Sequence, residues 1–132
     1  MAEKTFRDLL LIFAGGGAGA VLRVLLDFPE FGLWMPANFL ACFLMGLSSA
    51  ILMEGWMSPA AASWWRALVH TGFLGGLSTF SVLSIASVLK FPESLFAAGL
   101  WLLLLLAAFF AAALAGYLIP VLIARVMKST SR

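Results

Sequence analysis

The chain has 132 residues, 64% of them hydrophobic and 11% charged, with a net charge of +2 and a mean hydropathy of +1.09. A soluble globule of this size needs far more polar surface, so the composition points to an integral membrane protein whose bulk partner is lipid. The small, scattered charge excludes a nucleic-acid partner, and a lone cysteine, Cys42, excludes an internal disulfide or a CxxC metal pair.

About 20 mostly apolar residues cross the hydrocarbon as a helix. Four stretches qualify, at about 9–26, 34–53, 67–89 and 95–123, and together they form one four-helix membrane domain over 1–132 with no room for a soluble one. The N-terminal MAEKTFRDLLLIFAGG mixes acidic with basic residues and lacks a small-residue cleavage site, so the first helix is expected to be retained. The connections DFPEFG (27–32), EGWMSPAAAS (54–63) and KFPES (90–94) carry the helix breakers. Pro36 and Pro92 fall near helix starts, where a missing N–H is harmless.

Helix 1 contains GGGAGAVLR (15–23), whose small residues at Gly15 and Gly19 let another helix approach closely. Arg23 near its end either snorkels to the interface or draws anions into a vestibule. Helix 2 opens on MPANFLACFLMG (35–46), where the carboxamide of Asn38 serves as interhelical glue or offers donors to an anion. Cys42 is expected to pack as a small hydrophobe.

Helix 3 carries HTGFLGGLSTFSVLSIAS (70–87). Gly72, Gly75 and Gly76 weaken it just before its middle, and hydroxyls follow at Ser78, Thr79, Ser81, Ser84 and Ser87. Serines can bond back to their own helix. A helix interrupted midway does more, because it frees backbone groups near the bilayer centre, as in ion-handling membrane proteins. Phe80 sits among the hydroxyls, either packed or with its positive ring edge toward an anion. His70 lacks partners for a metal site, and it lies two turns from Ser78, too far for a serine–histidine catalytic pair. No enzyme chemistry is expected. Helix 4 is uncharged, with Trp101 and Tyr117 as interface anchors.

Basic residues fall unevenly. Lys4, Arg7, Arg66, Arg125, Lys128 and Arg132 lie on the side of the termini, whereas Lys90, with Arg23, lies opposite. The positive-inside rule then puts both termini in the cytoplasm.

In GGGAGAVLR, in the asparagine and later glycine of ANFLACFLMG, and above all in TGFLGGLSTFS, the chain resembles the small four-helix fluoride channels of the CrcB/Fluc family along nearly its whole length. The resemblance implies passive, selective fluoride export across the bacterial cytoplasmic membrane, and hence fluoride resistance. It implies an antiparallel dimer of all-α subunits, each with a broken helix 3, and two pores along the subunit interface. Phe80 would be the first of two pore phenylalanines, Asn38 the pore-facing carboxamide and Arg23 the arginine near the aqueous mouth. Thr79 and Ser81 match the family's hydroxyl positions in the anion path. The backbone carbonyls of Gly75 and Ser78 would help hold a structural sodium ion shared by both subunits.

Several positions depart from that pattern. Leu83 stands for the second phenylalanine and Val82 for the threonine before it; Ala86 replaces a common glutamate, and Trp101 and Leu105 replace polar residues of helix 4. The charge bias and the missing lining together suggest a heterodimer with a homologous chain of opposite orientation rather than a homodimer. The rivals are a non-conducting accessory subunit and a small multidrug-type exporter. The exporter would need a membrane-embedded carboxylate, and none precedes Asp27 within helix 1 or lies in the cores of helices 2 to 4.

Overall fold

A computed structural model describes residues 2–26 and 35–130. Among the described residues the regular elements are all helical: α1 (Ala2–Leu25), α2 (Met35–Met53), α3 (Pro59–Trp65), a π-helical turn (Arg66–Phe73), α4 (Leu74–Leu77), α5 (Phe80–Lys90) and α6 (Leu95–Thr130). Lys4–Leu25, Pro36–Met53, Pro59–Lys90 and Leu95–Met127 are each long and apolar enough to cross a membrane. The third of these is α3, the π turn, α4 and α5 in succession, bent where Ser78 and Thr79 leave helical geometry. The connection expected at 27–32 lies outside the described residues.

Helix ends are set by local chemistry rather than by hydropathy. α1 begins at Ala2, not near residue 9, because Lys4, Arg7 and Asp8 are compatible with helix although not with hydrocarbon. The third span starts at Pro59, within the stretch expected as a connection. Ser58 is extended there, its hydroxyl oxygen accepts from the Ala61 N–H at 3.3 Å, and Pro59 occupies the first turn. α2 ends at Met53, and the turn that follows passes through Gly55, whose φ of +71° suits a residue without a Cβ. α6 is opened by Ser94, which accepts from the Ala97 N–H at 3.2 Å, and runs on to Thr130 through a buried Pro120.

Two close crossings organise the helices. α1 lies against the π turn and α4, and α2 lies along α6; α4 also touches α2, and α5 touches α6. At both crossings glycine lets backbone meet backbone. A Cβ on Gly15 would stand 2.9 Å from the Phe73 nitrogen, and one on Gly19 would stand 2.8 Å from that of Leu77. From the other side, Gly72 and Gly76 meet the backbones of Ile12 and Gly16. Gly46 meets Ala113 and Tyr117, and Gly116 meets Phe43 and Leu47, so α2 and α6 each present a glycine to the other. Packing of this kind is the main attraction between helices in lipid. The glycines expected to weaken helix 3 therefore serve in part as its contact with α1.

Side-chain cores are small. Ala37, Ala41 and Leu77 form one cluster, flanked by Leu22, Leu26 and Phe73. Leu83, Leu105 and Phe109 form another, flanked by Cys42, Trp101 and Leu102. Phe39 meets Phe109 edge-on with ring centroids 4.6 Å apart. Large apolar residues such as Phe13, Leu95, Phe96 and Phe110 point outward, as a lipid-facing surface requires.

Gly46→Val should drive α2 from α6 and lower stability by about 1–3 kcal/mol. Gly99→Ala, with open space around it, should leave stability unchanged or slightly raised. Unfolding in mixed detergent micelles compares the two.

Candidate functional site

The break in the third span is where polar groups gather. Gly76 and Leu77 close α4; Ser78 (φ −86°, ψ 153°) and Thr79 (φ −151°, ψ 121°) are extended, and Phe80 reopens the helix. The last α4 carbonyls and the first α5 N–H groups thus lose their helical partners. Thr79 gives α5 no side-chain cap. Ser78 is the middle residue of the uncharged stretch 67–89, bounded by Arg66 and Lys90. If that stretch crosses the hydrocarbon, the break lies near mid-depth, where an unmet backbone group costs several kcal/mol.

Two side chains from other spans meet these groups. The Thr79 N–H donates to Asn38 Oδ1 at 2.8 Å. Only the oxygen of a carboxamide can accept, so this bond turns the amide and makes its nitrogen the donating side. Asn38 is 3% exposed and sits in the first turn of α2. Arg23, half-buried at the end of α1, donates from Nη1 to the Ser78 carbonyl at 3.3 Å. Arg23 therefore reaches the break rather than extending past its helix end to the interface. A guanidinium so deep is costly unless it is bonded, and an orphan carbonyl is a suitable acceptor.

The electrostatics of the break are two-sided. α2 and α5 both bring their N-terminal turns to it, and helix N-termini carry partial positive charge. With the guanidinium and the carboxamide nitrogen, that side favours an anion. Phe80, 58% exposed, is the first residue of α5, and beside it Thr79 Oγ1 lies 3.4 Å from Ser81 Oγ, with Ser81 exposed. The C-terminal end of α4 presents carbonyls instead, and the backbone at Gly75 is open. The structure thus brings Arg23, Asn38, Ser78, Thr79, Phe80 and Ser81 to one place.

The rest of the hydroxyl stripe behaves differently. Ser84 donates to the Phe80 carbonyl at 3.1 Å and Ser87 to the Leu83 carbonyl at 2.8 Å, both back onto their own helix. His70 is tied elsewhere. Its Nδ1 lies 3.1 Å from Ser48 Oγ, which also accepts from Trp65 Nε1 at 2.7 Å. Ser48 is 3% exposed and engaged on both sides, so it fastens α2 to the π turn and is not placed to attack a substrate. Ser48 and Trp65 went unnoticed in the sequence because neither stands out among apolar neighbours.

Similarity to known proteins accords with this geometry. A family described as "CrcB-like protein, Camphor Resistance (CrcB)" matches residues 10–117. The chain belongs to the CrcB family. Among curated CrcB relatives, the "Fluoride-specific ion channel FluC" of Mannheimia succiniciproducens is 35% identical over 103 residues, covering 72% of this chain and 78% of the relative. The protein of the same name from Pectobacterium carotovorum is 39% identical over 111 residues, covering 77% and 84%. "Fluoride-specific ion channel FluC 1" of Mycolicibacterium paratuberculosis is 33% identical over 95 residues, covering 67% and 70%. The CrcB relatives are ion channels, not enzymes.

Leu83, Trp101 and Leu105, the positions expected from the sequence to depart from the CrcB pattern, pack in a single apolar cluster. At its outer end Lys90 Nζ stands 4.0 Å from the centre of the Trp101 ring, a cation–π contact.

Asn38→Ala should strand the Thr79 N–H and cost about 1–3 kcal/mol, whereas Ser49→Ala, removing only a bond back to Met45, should cost little. Amide hydrogen exchange should speed up at Thr79 in the first variant and not in the second.

Proposed function

We propose that the chain is a subunit of a fluoride-selective channel that lets fluoride leave a bacterial cytoplasm passively, with the break in the third span as its selective element. The observation that carries this reading is the meeting of Asn38 and Arg23 at the break beside the exposed Phe80. Fluoride is small and strongly hydrated, so its path must replace water with closely spaced donors. The carboxamide nitrogen of Asn38, the hydroxyls of Thr79 and Ser81, the uncapped first turn of α5 and the ring edge of Phe80 are donors of that kind. Arg23, held at the break by its bond to the Ser78 carbonyl, adds a positive potential that favours an anion there. The fluoride-channel names of the CrcB relatives support the choice of ion.

The whole chain acts in this reading as one four-helix domain with both termini in the cytoplasm. Its exposed α5 face, which includes Phe80, Ser81 and Ile85, meets an inverted second subunit. The charge bias favours a homologous chain of opposite orientation, giving an antiparallel heterodimer. The Gly75 carbonyl fits a structural sodium ion, as a neutral oxygen at the negative end of α4 with open space beside it; the Ser78 carbonyl, which accepts from Arg23, would have to offer its second lone pair. One chain supplies only part of such a shell, so the two subunits would hold the ion jointly, and its charge would bind the two breaks to each other. A second reading, that of a non-conducting accessory subunit, is favoured by the apolar cluster of Leu83, Trp101 and Leu105.

Fluoride efflux from liposomes tests both readings. The chain with its partner should conduct, the chain alone should not, and Phe80→Ile in the pair should slow efflux at least about tenfold, a barrier change of about 1.4 kcal/mol. Unchanged efflux in the Phe80 variant would favour the accessory role. Efflux through both pores of an antiparallel dimer made from this chain alone would overturn the heterodimer.

A further inference from the structure

We propose that the cleft between the N-terminal part of α1 and the start of the third span binds the phosphate headgroup of an anionic phospholipid. This site is remote from the break and does not depend on which ion the protein passes. The cleft has a volume of about 480 Å³ and is walled by Lys4, Asp8 and Ile12 of α1 and by Ser63, Arg66 and Thr71 opposite. That volume suits a small polar headgroup.

Its charge is positive. Among the described residues Asp8 is the one carboxylate in the wall, and Arg7 neutralises it through Nε at 3.0 Å and Nη2 at 2.7 Å. Arg7 Nη2 also donates to Ser63 Oγ at 3.3 Å, which joins the two walls. Lys4 and Arg66 remain as exposed cations facing the cleft, neither in an ion pair with a described residue. The Ser63 hydroxyl still has its own proton to donate.

The depth is that of lipid headgroups. Arg66 bounds the uncharged stretch 67–89, so it stands where the hydrocarbon ends. Trp56 and Trp64, both 49% exposed, lie at the same end of the span, as interfacial indoles do. Leu9 and Phe13 are exposed beside the α1 wall, 59% and 82%, and offer the acyl chains an apolar surface. A basic cleft between spans, at headgroup depth and flanked by exposed apolar side chains, matches a single negative charge carried on two acyl chains. A freely diffusing anion would make no use of Leu9 and Phe13.

The test is lipid retention by the full chain, measured by native mass spectrometry after extraction from vesicles of equal phosphatidylglycerol and phosphatidylcholine. Wild type should retain phosphatidylglycerol in preference. Lys4→Gln and Arg66→Gln, each alone, should lower retention about fivefold per lost charge. Asp8→Asn, which removes the one carboxylate, should raise it or leave it unchanged. Arg125→Gln removes an exposed cation elsewhere on the chain and should have no effect. Equal losses in Arg125→Gln and Arg66→Gln would mean diffuse attraction and overturn the site. Displacement of the lipid by millimolar inorganic phosphate would assign the cleft to a free anion and overturn the lipid. Retention of phosphatidylcholine at the same level would overturn the charge argument.

Discussion

The break in the third span turns on two hydrogen bonds. A span that leaves helical geometry at Ser78 and Thr79 exposes backbone groups where water is scarce, and such a conformation survives only if other parts of the chain bond to them. Asn38 supplies an acceptor for one N–H and Arg23 a donor for one carbonyl. They come from the start of α2 and the end of α1, so the break also fixes where those helices begin and end relative to it. Without the pair, an unbroken third span would be the cheaper structure. With it, the chain holds opposed helix ends, one rich in N–H groups and the other in carbonyls, within a few residues of each other.

The packing explains how such a device is kept in register. In lipid no hydrophobic force drives helices together, so alignment must come from shape. Glycines on α1 meet the π turn and α4, and glycines on α2 and α6 meet each other. The first crossing positions Arg23 and the second positions Asn38. The π turn contributes as well: it lies where Gly72 contacts α1 and where His70 and Trp65 reach Ser48.

Much of the fold was legible in the sequence because hydropathy reports on the hydrocarbon directly. The cores of four spans could be read from it, as could the weakness of the third. Hydropathy is silent on helix beyond the hydrocarbon, and so the starts of α1 and α3 and the end of α6 fell several residues from their expected places. The glycines marked the interruption only approximately. Gly72 and Gly76 are needed by α1, and the chain departs from helix just after them, at residues with ordinary side chains. Asn38 and Arg23 stood out as polar residues in apolar surroundings. Their partners did not, since both are main-chain atoms, 41 and 55 residues away. The Ser48 tie was invisible for a related reason: a serine in a membrane helix usually bonds to its own backbone, as Ser49 does.

Contacts between bare backbones have no rotamers to lose. A leucine seam gives up side-chain freedom when it forms, and that loss weighs more as temperature rises. The meetings of Gly46 with Ala113 and of Gly116 with Phe43 carry no such loss on the glycine side. They also cannot be eased by a side chain swinging aside, so α2 and α6 must shift together if they shift at all. Changes in bilayer thickness that tilt the long α6 would carry α2 with it as a rigid pair, and the strain would gather where α2 meets the third span. The 2.8 Å bond between Asn38 and Thr79 and the Ser48 tie to His70 and Trp65 are then the joints across which lipid composition would be felt.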